Sequence, residues 1–292
     1  MIILLLLSKT NLTTEKNPEI YFHVGMGKTG SKYIQYRVFP KFEGIRYIQR
    51  TNYKKAKDII QRGESPKYLV SNEFDQQLEK EVKEWATTFP DTHPIIVFRR
   101  QDSWIASQYR RYIKNSYTFS FSEFIDLKND NGYFKKRDLE FFKNIELLEH
   151  YFTKKPLVLL YDDLKNKPTK FIQQVANYAD VKIDMEKIDF SRKHTSYSLK
   201  QLNVIRRISQ FVDLRKRRVT NNPVLHRLFL IGLSTIRYPI LYGAKLVPAS
   251  WVEEKPLITE KELEAVRDLY AADWKKCLEY SETQQWNTSK SS

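Results

Sequence analysis

Glu19 to Arg37, EIYFHVGMGKTGSKYIQYR, is the stretch whose reading decides the fold. It opens on a β-type run, Ile20-Tyr21-Phe22-His23-Val24, and passes into Gly25, Gly27 and Gly30 interleaved with Lys28, Thr29, Ser31 and Lys32. A helix-compatible segment from Lys32 to Phe39 stops at Pro40. A strand, a glycine-rich turn and a helix make a phosphate-cradling loop. Glycine lets the backbone approach an anion, helix-start N–H groups and the helix dipole face it, and a lysine adds a full charge.

Downstream, strands alternate with helices. Lys67-Tyr68-Leu69-Val70 leads into Ser71-Asn72-Glu73, with a helix expected from Asp75 to Thr88. Pro94 to Phe98 runs into Arg99, with a helix from Trp104 to about Lys114 capped by Asp102 or Ser103. Leu157 to Tyr161 is closed by Asp162-Asp163. This alternation predicts an α/β fold: three layers around a central parallel sheet, P-loop-like, with a more helical C-terminal half that includes one long helix from Thr259 to Tyr280. Parallel sheets bind ligands at the carboxyl ends of their strands, where the loop, Glu73, Arg99 and Asp162 all fall. The chain reads as one domain over 1–292. An arm covers 1–18, and helical insertions at 115–152 and 214–250 are expected to flank an acceptor site.

The nucleotide-hydrolase pattern G-x-x-x-x-G-K-[ST] fits poorly. Gly25 and Gly30 have the spacing, but Ser31-Lys32 are in inverted order, and the Gly27-Lys28-Thr29 register would need a glycine where Phe22 stands. The run K-T-G-S-K-Y resembles instead the 5′-phosphosulfate loop of sulfotransferases that use 3′-phosphoadenosine 5′-phosphosulfate (PAPS). That family usually carries a hydroxyl residue where this chain has Lys32. R-R-Q-D-S-W-I-A-S-Q-Y, from Arg99, is similar to the family's 3′-phosphate motif, with Arg99 and Ser107 eight residues apart. Its acidic residue, Asp102, comes one place earlier than in the common form, as in bacterial members. Tyr161-Asp162-Asp163-Leu164 resembles a further family segment, and Arg192-Lys193-His194 a nucleotide-covering loop whose glycine is missing here.

The resemblance implies PAPS as co-substrate, PAP as product and no metal. It assigns Lys28 to the leaving oxygen, and the backbone of Gly27, Lys28, Thr29, Gly30 and Ser31 to the 5′-phosphate, with Lys32 beside them as a further cofactor-binding candidate. Tyr33 would lie on adenine, Arg99 and Ser107 on the 3′-phosphate, and Arg192 and Lys193 over the nucleotide. Glu73 is the expected general base, with His93 and His194 as other candidates and His23 as a packed residue. The acceptor is expected to be a carbohydrate or glycolipid. A P-loop kinase or NTPase is the alternative.

A net charge of +15 favours an anionic partner without choosing one. A nucleic-acid binder is suggested by charge alone and has no binding motif, so no nucleic-acid partner is expected. Cys277 is the single cysteine, which excludes an intrachain disulfide and suits a reducing, cytoplasmic setting. Met1 to Leu7 is apolar but makes a poor secretory signal. The basic run Arg215-Lys216-Arg217-Arg218, followed by the apolar stretch Val224 to Val247, leaves room for peripheral membrane contact.

Overall fold

The computed structural model describes residues 17–191, 197–248, 251 and 255–284. The apolar arm at Met1–Leu7 and the Arg192-Lys193-His194 loop lie outside them. Among the described residues seven strands run in chain order: β1 (Glu19–Gly25), β2 (Phe42–Glu43), β3 (Arg46–Ile48), β4 (Lys67–Glu73), β5 (His93–Phe98), β6 (Leu157–Leu160) and β7 (Lys182–Ile183). The helices of the first half are α1 (Ser31–Tyr33), α2 (Ala56–Gln61), α3 (Leu78–Ala86), α4 (Gln101–Lys114), α5 (Phe121–Phe124) and α6 (Phe141–Tyr151). Those of the second half are α7 (Tyr161–Asn166), α8 (Pro168–Tyr178), α9 (Leu199–Ile208), α10 (Pro223–Gly243), α11 (Glu260–Leu269) and α12 (Ala271–Glu282).

Five strands form one parallel sheet in the order β3-β4-β1-β5-β6. β2 and β7 make a separate antiparallel pair. The first strand is central, so both its faces are covered and its sequence is almost wholly apolar. Ile20, Phe22 and Val24 point into one core with Trp85, Trp104 and Phe141, which come from α3, α4 and α6. Tyr21 points into the other, with Leu69, Val97, Phe171 and Ile172, the last two from α8. The expected α/β architecture with a central parallel sheet is therefore the one observed.

Several boundaries differ from the sequence expectations. β4 continues to Glu73 because it pairs with β1 over its full length, Glu19 beside Lys67 through to Gly25 beside Glu73. α4 begins at Gln101 rather than Trp104, with no side-chain cap. Asp102 binds Arg100 (2.8 Å) and Arg267 (3.1 Å) instead. The long C-terminal helix divides at Tyr270 into α11 and α12. Tyr161 starts α7 and does not end β6.

Candidate active site

The loop between β1 and α1 is tied on both sides. On the inner side the Thr29 and Ser31 hydroxyls donate to the Met26 carbonyl at 2.6 and 3.0 Å. On the outer side the Gly27 N–H donates to Asp75 Oδ1 (2.7 Å), and the Gly27 carbonyl accepts from the Trp104 indole (2.8 Å). Thr29 and Ser31 are buried, so their hydroxyls serve the loop's shape. Lys28 stands at the apex with φ 70°, in the left-handed region that costs a side-chain-bearing residue energy. Gly30 has φ 85°, a conformation that favours glycine, and a Cβ there would stand 2.4 Å from Leu164 Cδ2, so that methyl would have to turn aside.

Arg99 leaves the end of β5 and reaches the same loop. Its Nε donates to Ser103 Oγ (2.8 Å), its Nη1 to the Lys28 carbonyl (3.4 Å), and its guanidinium lies 4.8 Å from the centre of the Tyr161 ring. Ser103, Ser107, Arg110 and Lys114 follow one another at helical spacing along one face of α4. Arg99 is thus paired here with Ser103, and Ser107 stands one turn further along that face, half-buried. The loop, Glu73, Arg99 and Tyr161 gather at the carboxyl edge of the sheet.

Electrostatically the edge is a cationic basin with two acids. Burial pushes the Lys28 ammonium down to about 8, and the like charges of Arg111, Lys114 and Lys32 act in the same direction. Glu73, the last residue of β4, is pushed up by burial. Arg50, 3.6 Å away, opposes that shift, and Asp75 adds to it. Asp75 itself carries φ 44° and holds both the Gly27 N–H and Arg111, at 3.5 Å.

The remaining sequence candidates separate clearly. Lys32 is exposed beside the loop. Tyr33 is half-buried against the α8-side core, with Arg37 5.9 Å from its ring centre and its hydroxyl buried without a hydrogen-bond partner. Arg37, in the π-helical turn that follows α1, also donates to the Ser191 carbonyl (2.7 Å). His93 is corrected as a base candidate: it opens β5 at the opposite end of the sheet and stacks on Tyr21 at 4.7 Å. His23 is buried in β1, its Nδ1 2.8 Å from Ser71 Oγ.

Sequence reading missed Asp75, Arg111, Lys114, Arg50 and Trp104. The repeating three- and four-residue spacing of polar groups along α4 was the one available signal for Lys114. The other four matter through partners distant in the chain.

No protein-family model matches the chain. No curated protein matches it at a significant level. Among solved structures it is similar to a sulfotransferase from Alicyclobacillus acidocaldarius, with 13% identity, 65% of this chain and 92% of that one covered, and a TM-score of 0.49. A mouse sulfotransferase complexed with PAP is similar at 14% identity, with 92% and 90% of the two chains covered and a TM-score of 0.46. The sulfotransferase domain from the curacin biosynthetic pathway is similar at 14% identity, with 87% and 98% covered and a TM-score of 0.40. These are likenesses of α/β architecture at low identity, and none of them sets an activity for this chain.

Proposed function

We propose that the chain transfers a sulfuryl group from PAPS to a hydroxyl or amine, on a carbohydrate or glycolipid acceptor. One observation carries the reading: Arg99 donates to the backbone of Lys28 itself. The guanidinium is thereby held against the loop apex that carries Lys28, at one sheet edge, beside a helix face bearing Ser103 and Ser107. Two anionic groups at opposite ends of one nucleotide suit this pair.

In the proposed reaction the acceptor oxygen attacks sulfur in line with the bond to the 5′-phosphate. The S–O bond to that phosphate breaks, and PAP leaves with the electron pair. Lys28 offsets the charge growing on the leaving oxygen. Glu73 takes the acceptor's proton, a role that suits a carboxylate whose proton affinity is raised. Lys32, Arg111 and Lys114 add positive potential. Thr29 weakens the kinase alternative. In a G-K-T loop that hydroxyl serves the metal, whereas here it is buried and donated to Met26.

Calorimetric titration with PAP, ADP and ATP-Mg tests the reading. PAP should bind far more tightly than ADP. Arg99→Ala should erase most of that preference, a loss on the order of 2–5 kcal/mol for a partly buried arginine–phosphate contact. Ser107→Ala should remove less, since a neutral hydroxyl contributes about 1 kcal/mol. Equal affinity for PAP and ADP, or preference for ATP-Mg, would reject sulfuryl transfer. A screen of sugars, glycolipids and phenols with radiolabelled PAPS identifies the acceptor.

A further inference from the structure

We infer that α10 and the basic run before it form a docking surface for an anionic lipid bilayer, on which the helix lies flat. α10 is fastened along one side only. Leu233, Arg237 and Leu241 are buried, the Arg237 guanidinium donates to Asn115 Oδ1 (2.9 Å), and Gln201 of α9 donates to the Leu241 carbonyl (2.8 Å). The outward side is apolar: Val224, Leu225, Leu228, Ile231, Ile236 and Tyr242 are each more than half exposed. Trp251, 73% exposed, lies shortly beyond the helix.

A surface helix of a soluble domain normally turns charge outward and apolar residues inward. Here, along a helix of 21 residues, apolar side chains cover the outward side as well as the inward one. The most apolar window has a mean hydropathy of 1.2, yet only 17% of it is buried. Length alone would allow a span, but the Arg237, Asn115 and Gln201 contacts hold the helix to the fold, so it meets a membrane from the side.

Charge names the occupant. Between Leu214 and Pro248 the sequence holds seven lysines and arginines and no acidic residue. Asp213 engages Arg215 and Arg217 at 2.9 and 3.0 Å. Lys216 and Arg227 line a groove of about 600 Å³ with Leu230, Ile231, Ser234 and Tyr238. Two cations and a hydroxyl above an apolar floor suit a phospholipid headgroup whose chains continue along the helix. An apolar face rimmed by cations binds anionic lipid by burial and charge together.

The test is co-sedimentation of the full chain, without nucleotide, with vesicles of phosphatidylcholine alone and of phosphatidylcholine mixed with phosphatidylglycerol. Recovery is expected on the mixed vesicles, falling as salt rises. Lys216→Gln with Arg218→Gln should weaken it on the order of thirty-fold, at about one kcal/mol per surface cation. Leu228→Ser with Ile231→Ser should weaken it similarly, and both pairs should keep the parent's unfolding midpoint because all four side chains are outside the core. Equal recovery on both vesicle types, or none on either, overturns the inference. So does a concentration-dependent dimer that the Leu228/Ile231 pair dissolves, since a second copy would then cover the face. Because no nucleotide is present, this result is independent of the sulfuryl-transfer reading.

Discussion

Lys28 and Glu73 share one basin and are shifted by the same cause in opposite directions. Burial favours the neutral form of each, lowering the lysine to about 8 and raising the glutamate. If Glu73 is the base and Lys28 the electrophilic cation, kcat/KM follows both. It rises as Glu73 loses its proton and falls as Lys28 loses its own, so the alkaline limb lies near 8. Lys28→Arg should move that limb upward, because guanidinium stays charged. Lys28→Ala should reduce turnover far more than it weakens PAP binding. Glu73→Gln should abolish the acid limb and most turnover while leaving PAP affinity near that of the parent. A Gln variant with parent-like rates would return Glu73 to a partner of Arg50. At this scale the sequence was legible where chemistry is local. Lys28, Arg99 and Ser107 stand out by type and spacing. Asp75 does not, because its role is to hold a Gly27 amide and an Arg111 guanidinium, 48 and 36 residues away in the chain.

Elements position these side chains through a few close contacts. Gly30 is where α7 meets the loop, with Leu164 against its backbone. Gly30→Ala would force a left-handed alanine into a space already filled. It should cost roughly 1–2 kcal/mol from backbone strain, with the Leu164 methyl turning aside to admit the new Cβ. Urea unfolding reads this as a lower midpoint at unchanged slope. An alanine variant as stable as the parent would show that α7 can withdraw from the loop. Strand and helix identities followed from hydrophobic pattern, while their ends followed tertiary partners. The break at Tyr270 has no glycine or proline to announce it. It comes from the Tyr270 hydroxyl donating to the Lys136 carbonyl (2.9 Å), and from Asp273 accepting the Phe141 and Phe142 amides at 2.9 and 3.1 Å. The start of α4 was misplaced similarly, since Asp102 serves Arg267 of α11.

Over the whole molecule, stability against acid depends on His23 at the sheet's centre. Burial lowers its pKa from 6.5 to about 4, so the folded protein holds it neutral while the unfolded chain protonates it first. Its contribution is complete above pH 6.5 and is lost as pH falls toward 4, up to about 3 kcal/mol. His23→Asn should flatten the stability profile across that window, measured by urea unfolding at several pH values. An identical acid slope in parent and variant would assign the loss to carboxylates. Parallel layering was readable from β–α alternation. The outward apolar side of α10 was not, because composition alone cannot tell a buried helix from an exposed one.

The central place of β1 has a kinetic side. Its neighbours β4 and β5 pair with it across 48 and 72 positions of chain, Gly25 with Glu73 and Tyr21 with His93. During synthesis, at about 5–20 residues per second, the first strand emerges with both edges bare and waits several seconds for each partner. Loops of that length close against an entropic cost, so the sheet belongs to the slow, non-local class of folding nuclei. A nascent chain stalled before residue 93 would expose Ile20 to Val24 on an open edge, and this is the segment from which misassembly on the ribosome should start.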